Sequence, residues 1–113
     1  MHELTLAMNM VEQLDDIMRR EKASRLLKVT LEIGALSGVE REPMAFCFPM
    51  AARGTRLEGA RLEIEEVPVT VQCESCGQES QPEFPAVYCA ACGHTGVDIL
   101  AGRDFKIKTI EVE

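Results

Sequence analysis

Tryptophan is missing from these 113 residues, tyrosine occurs once and phenylalanine four times. So few large rings leave little from which to build a stacking platform for bases. No apolar run approaches the roughly 18–20 residues that cross a bilayer as a helix. Lysine and arginine are absent from Val67 to Gly102, where Glu74, Glu79, Glu83 and Asp98 supply the charge. A nucleic-acid-binding module displaces counterions with cations, and this stretch repels phosphate instead. The opening M-H-E-L-T-L-A-M-N-M has no basic leader and carries Glu3, so it does not read as a signal peptide and the expected location is cytoplasmic. No general-base pair, phosphate-cradling loop or nucleophile constellation is present, and the chain is expected not to be an enzyme.

What is present is a chain of 46% apolar residues, enough for a core, with 19 acidic side chains against 12 basic ones. Its length allows one domain or two small lobes. Most basic residues lie between Arg19 and Arg61, interleaved with acids, a pattern that suits a solvated mixed surface. Neither a nucleic-acid nor a membrane partner is expected. Five cysteines in a cytosolic chain point to metal or redox chemistry rather than a disulfide scaffold.

The first segment predicts an amphipathic helix. Leu4, Ala7, Met8, Val11, Leu14 and Met18 recur at helical steps, with Leu6, Met10 and Ile17 widening the stripe. Leu27, Val29, Leu31 and Ile33 then alternate with Lys28, Thr30 and Glu32, predicting a half-buried strand. A second helix is expected from about Glu42, with Pro43 at its start and Met44, Cys47, Phe48 and Ala51 facing inward. Pro49 predicts a kink or early end. Leu62, Ile64 and Val67 mark a second strand, and F-K-I-K-T-I-E-V-E closes the chain with a third. That last strand is long and regular enough to rejoin the first lobe's sheet. The cysteine-rich stretch then becomes an insertion.

Cys73-Glu-Ser-Cys76-Gly and Cys89-Ala-Ala-Cys92-Gly are two C-x-x-C-G units twelve residues apart. Each bends the chain so that two thiolates face one ion, and the glycine permits a left-handed turn behind them. Four thiolates form the closed tetrahedral set of structural zinc, with no open position for a reactive water. Iron suits the same ligands, and a redox dithiol is the remaining reading of a single C-x-x-C. A segment this poor in apolar residues folds only with metal, which contributes about 10–16 kcal/mol in zinc-finger peptides. Cys47, between Phe46 and Phe48, reads as a small buried hydrophobe. His94 follows the second knuckle, either as a solvent-facing loop residue or as a donor beside the metal.

Position two is histidine. The terminal amine of Met1, the amide of His2 and its imidazole can wrap one metal, with the Glu3 carboxylate alongside. Nitrogen donors in a plane suit Ni(II) or Cu(II). A lone histidine at a chain end is also compatible with no role at all.

The N-terminal M-H-E-L, the I-G-A-L-S-G-V-E after a strand, the G-T-R-L-E-G-A-R-L-E-I-E and the two C-x-x-C-G units, in that order from Met1 to Glu113, resemble the HypA/HybF family of hydrogenase maturation nickel chaperones. The resemblance implies an α+β, two-lobe protein. Residues 1–70 and 102–113 would form a nickel lobe of helices on a small mixed three-stranded sheet, and 71–101 an inserted zinc-ribbon or rubredoxin-like lobe. It implies Ni(II) held by Met1, His2 and Glu3 with Glu40 as the acidic residue after the first strand, and Zn(II) held by Cys73, Cys76, Cys89 and Cys92. The implied partners are the GTPase HypB, the [NiFe]-hydrogenase large subunit and, in some organisms, urease maturation proteins. A monomer or weak homodimer is expected. The alternative is a zinc-ribbon interaction scaffold without nickel function.

Overall fold

The computed structural model describes residues 2–113. Helix α1 spans Glu3–Arg20, strand β1 Leu26–Gly34, helix α2 Arg41–Ala52 and strand β2 Arg61–Val67. Strands β3 (Thr70–Cys73), β4 (Glu79–Ser80), β5 (Val97–Ala101) and β6 (Phe105–Val112) complete the chain. Two compact units result: Met1–Leu31 with Val39–Glu65 and Ile107–Glu113, and Glu32–Gly38 with Glu66–Lys106.

In the first unit α1 packs on α2. The buried stripe of α1 is Glu3, Ala7, Met10, Val11, Leu14 and Met18. Leu4 and Met8, expected inside, are exposed: the apolar arc is broad, and packing selects a stripe turned toward Glu3 and Met10. Glu3 in the first turn and Arg19 and Arg20 in the last complement the helix dipole. The helix ends where the Lys22 N–H donates to the Arg19 carbonyl and the Ala23 N–H to that of Met18. Lys22, at φ 57°, takes the left-handed position that glycine usually fills in this paired closure.

Helix α2 buries Met44, Phe48 and Ala52, while Cys47 is half-buried. It runs through Pro49 to Ala52 rather than stopping at the proline. Pro49 lies in the final turn and is exposed, so the hydrogen bond it cannot donate leaves a carbonyl at the solvent side.

Strand β1 is central in the sheet β2-β1-β6. The Glu113 N–H donates to the Arg25 carbonyl and the Gly34 N–H to that of Asp104, so β6 runs antiparallel to β1. Lys28 pairs with Glu63, and Ala35 donates to Val67 farther along both segments, so β2 runs parallel to β1 with α2 as the crossover. The central position buries more of β1 than the alternation predicts. Leu26, Val29, Thr30, Leu31 and Ile33 are all inside. Ion pairs across the sheet join Lys28 to Glu63 and Glu111 and Lys108 to Glu65. Each contributes little to stability alone.

The second unit holds an antiparallel sheet ordered β4-β3-β5. Val71 faces Ser80 on one side and Ile99 on the other, and Cys73 faces Val97. Its core is small, with Val69, Val71, Cys73 and Cys89 buried. Gly34 and Gly102 meet within this unit. A Cβ on Gly34 would land on the Gly102 carbonyl, and one on Gly102 would stand 2.8 Å from the Pro68 oxygen and the Val69 Cα.

Candidate metal centres

The two C-x-x-C-G segments fold alike. Cys73 ends β3, its N–H donates to the Gln78 carbonyl, and Gly77, at φ 74°, returns its own N–H to the Cys73 carbonyl at 3.0 Å. In the second segment Cys89 donates to His94, and Gly93, at φ 82°, donates to Cys89 at 2.8 Å. A β-carbon at either glycine would be forced into the left-handed region that side chains avoid.

These turns aim backbone amides at sulfur. Ser75 and Cys76 donate to the Cys73 Sγ at 3.3 and 3.4 Å, and Cys92 donates to the Cys89 Sγ at 3.4 Å. The four Sγ atoms lie within 4.8 Å of one another. Cys73 and Cys92 are 3.6 Å apart at sulfur, and Cys76 and Cys89 3.7 Å. Four sulfurs at zinc–thiolate bond length define a tetrahedron with edges of about 3.8 Å, so both separations fit one ion at the centre. Each knuckle contributes a buried first cysteine and an exposed second one.

The same amides set the acidity of the thiols. The Cys92 N–H, with the other amides and thiols around it, draws the Cys89 thiol down to about 6. The Cys76 N–H leads the same effect on Cys73. At Cys92 the His94 N–H pulls downward, but crowding by Cys73, burial and the remaining thiols outweigh it and push the group up to about 12. Four sulfurs this close do not all ionise without a cation among them. A thiophilic, four-coordinate ion suits the donor set.

The other expected metal site lies at the start of α1. Met1 falls outside the described residues. His2 is exposed at the helix N-cap and makes no side-chain capping hydrogen bond there; its carbonyl accepts the Leu6 N–H at 3.1 Å. Glu3, the next residue, is buried, and its Oε2 accepts the Glu40 backbone N–H at 3.0 Å. Glu40 is the N-cap of α2, in extended conformation, with its own carbonyl accepting the Met44 N–H. The structure therefore brings Glu40 to Glu3 through a backbone amide. A carboxylate at a helix N-terminus that also takes an amide from a second helix start is held in one orientation.

The family resemblance placed Glu3 and Glu40 in one site, but not the hydrogen bond that joins the Glu40 backbone N–H to the Glu3 carboxylate across 37 residues. Sequence reasoning treated G-T-R-L-E-G only as a family marker. In the structure the Glu58 carboxylate accepts the Gly54 N–H at 2.7 Å, and the Thr55 hydroxyl accepts the Leu57 N–H at 3.0 Å. Leu57 is fully buried beneath that loop. The motif is a self-capped turn, and its signal was the spacing of two glycines with Thr and Glu between them. Beside the first knuckle, the His94 imidazole and the Glu74 carboxylate converge over Gly96, at 2.9 and 3.2 Å from where a Cβ would stand.

Fold and site together define a two-unit α+β metal-binding protein with a closed four-thiolate centre. A family model described as hydrogenase/urease nickel incorporation, metallochaperone, HypA, matches residues 1–112. The chain belongs to the HypA family of nickel metallochaperones, and is a metallochaperone rather than an enzyme. It is 40% identical over 113 residues to hydrogenase maturation factor HypA of Chlorobium limicola, covering all of this chain and 97% of the relative. To hydrogenase maturation factor HypA of a Nostoc species it is 42% identical over 113 residues, covering all of this chain and 96% of that one. The solution structure of the Ni metallochaperone HypA from Helicobacter pylori superposes with a TM-score of 0.69 at 18% identity, covering 99% of this chain and 97% of that one. A second HypA solution structure gives 0.73 at 19%, covering 100% and 97%. At those identities the two structures speak for the shared fold. No described helix is long and apolar enough to cross a membrane.

Proposed function

We propose that the chain takes up Ni(II) at its amino end and passes it to the large subunit of a [NiFe]-hydrogenase, in the cytoplasm and in concert with the GTPase HypB. In organisms that make urease, the same cargo would reach the urease maturation proteins. The Met1 amine, the His2 amide and imidazole and the Glu3 carboxylate form the donor set, with Glu40 beside it. The observation that carries this reading is the anchoring of Glu3 by the Glu40 N–H while the neighbouring His2 is exposed. One donor is thus fixed to the fold and the next is open to solvent, which suits a cargo site that must load and unload. Planar nitrogen donors favour Ni(II). Zn(II) at Cys73, Cys76, Cys89 and Cys92 holds the 71–101 lobe in shape, while 1–70 and 102–113 form the nickel lobe.

The test is a nickel titration of zinc-loaded protein and of its His2→Ala variant, followed by the nickel d–d absorption. The reading expects one nickel bound by the first and none by the second at the same concentrations. Equal binding by both would place the nickel elsewhere.

A further inference from the structure

Strand β5 (Val97–Ala101) ends the sheet β4-β3-β5 and has a neighbouring strand on one side only. The Cys73 N–H turns toward the Gln78 carbonyl, while the Glu74 N–H reaches the Gly96 carbonyl. By alternation the backbone groups of Asp98 then face Gln72 on β3, and those of Val97 and Ile99 point out of the sheet. Among the described residues no backbone hydrogen bond from Val97–Ala101 crosses this outer edge. The strand also lacks the lysine or proline that commonly guards an open edge. Between Ile99 and Ala101 the register slips, which makes Leu100 the extra residue of a bulge, and Leu100 is 50% exposed. Leu100 also lines a cavity of about 190 Å³, together with Ala101, Gly102, Glu32, Asp104 and Lys106. Lys106 pairs with Glu32 at 3.7 Å, and Asp104 has no ion-pair partner among the described residues. The cavity therefore keeps one uncompensated carboxylate.

We infer that the open edge of β5 takes an extended, basic segment of a partner protein as an added strand, with one lysine or arginine of that segment seated in the cavity beside Leu100. In such pairing the main chain supplies affinity and the pockets along the edge select the sequence. Charge decides the occupant. Arg103 and Lys106 are the only lysine or arginine residues of the second unit and are far outnumbered by its acids. Two copies of this chain paired through β5 would bring two Asp98 carboxylates and two acidic units together, which like-charge repulsion opposes. A basic segment meets the reverse situation. Asp98 on the strand and Asp104 in the cavity both lack an ion-pair partner among the described residues. The bulge at Leu100 limits the regular edge to Val97–Ile99, so the added strand is short and its binding weak. The nickel donors proposed at the amino end take no part in this edge, and nickel need not be bound for the segment to dock.

The test is a titration of zinc-loaded full-length protein with capped hexapeptides in which arginine alternates with valine, leucine or isoleucine. Binding is followed by two-dimensional amide NMR spectra up to about 1 mM peptide, the range open to a short strand. Beside each peptide runs its fully N-methylated form, which keeps the charge but cannot donate to a strand. Shifts centred on Val97–Ala101, Glu32 and Asp104 are expected, with amide exchange slowed about tenfold at Val97 and Ile99 and no binding by the N-methylated forms. Asp104→Asn should weaken binding about fivefold, whereas Glu12→Gln, the same charge change on the first unit, should leave it within about twofold. Both positions are exposed, and thermal melts close to that of the unmodified protein confirm that each variant folds. Absence of binding by all three peptides would overturn the inference. So would binding that leaves the Val97 and Ile99 amides unprotected, equal binding of the N-methylated forms, or an Asp104→Asn effect no larger than that of Glu12→Gln.

Discussion

Replacing Gly34 by alanine tests the second unit at its tightest point. Gly34 ends β1 and donates its N–H to the Asp104 carbonyl at 2.8 Å. A methyl there would fall on the Gly102 carbonyl, 2.5 Å from its carbon and 2.9 Å from the Asp104 oxygen. All of these neighbours are backbone, so no flexible side chain can swing away. Overpacking ordinarily costs about 1–3 kcal/mol, and the rigid surroundings put this case near 3. An unfolding entropy of about 2.1 cal/mol/K per residue over 113 residues translates that into a fall in Tm of roughly 12 °C. The assay is thermal unfolding of zinc-loaded protein followed by circular dichroism. Gly38→Asn is the control, since Gly38 has φ +81° and open space around it, and asparagine tolerates that conformation at a cost of about 1 kcal/mol or less. A Gly34→Ala melt within about 2 °C of the unmodified protein would refute the collision argument, because Gly102 would then have room to move.

Adjacent phenylalanines on α2 should behave oppositely. Phe48→Ala, at 1% exposure, should cost about 3–5 kcal/mol, whereas Phe46→Ala should stay within about 0.5 kcal/mol, both read from denaturant midpoints at low protein concentration. Metal removal should be local. A strong chelator is expected to strip amide protection from β3, β5 and both cysteine turns while α1, α2 and the Leu26–Leu31 part of β1 keep theirs; uniform retention in the cysteine turns would contradict a metal-dependent unit. Metal retention by the second unit should also depend on pH, because protons compete with the ion for the thiolates. The Cys89 thiol, lowered to about 6 in the folded chain, keeps its charge into mild acid, and the ion should be released as pH falls through that region. Metal retention unchanged from about pH 8 to about pH 4 would contradict this.

The most local features were the most legible. The two knuckles could be read from four cysteines and two glycines, because a C-x-x-C-G turn is determined by its own few residues, and the sulfurs do converge. The alternation of β1 located the strand, although its central place between β2 and β6 buried Thr30 as well. Helix α1 was recognisable from its period, but its rotation was not. With apolar residues over more than half the circumference, only contact with α2 decides that Glu3 and Met10 enter while Leu4 and Met8 stay outside. Pro49 did not end α2 early, because the effect of a proline in a last turn depends on whether the orphaned carbonyl meets water, a tertiary matter. The approach of Gly34 to Gly102 joins positions far apart in the chain, and no local pattern encodes such a pair; Glu3 and Glu40 were placed together only by the family resemblance, which did not give the backbone hydrogen bond between them.

The central claim, cargo nickel held at the amino end, is tested most directly by adding one residue ahead of Met1. The extension leaves His2, Glu3 and the cysteines in place but moves the terminal amine out of chelating register. Calorimetric titration of Ni(II) into both zinc-loaded proteins should show one site in the native chain and loss of that site in the extended one. Equal affinity in the two would contradict the account and leave the fold without its proposed cargo site.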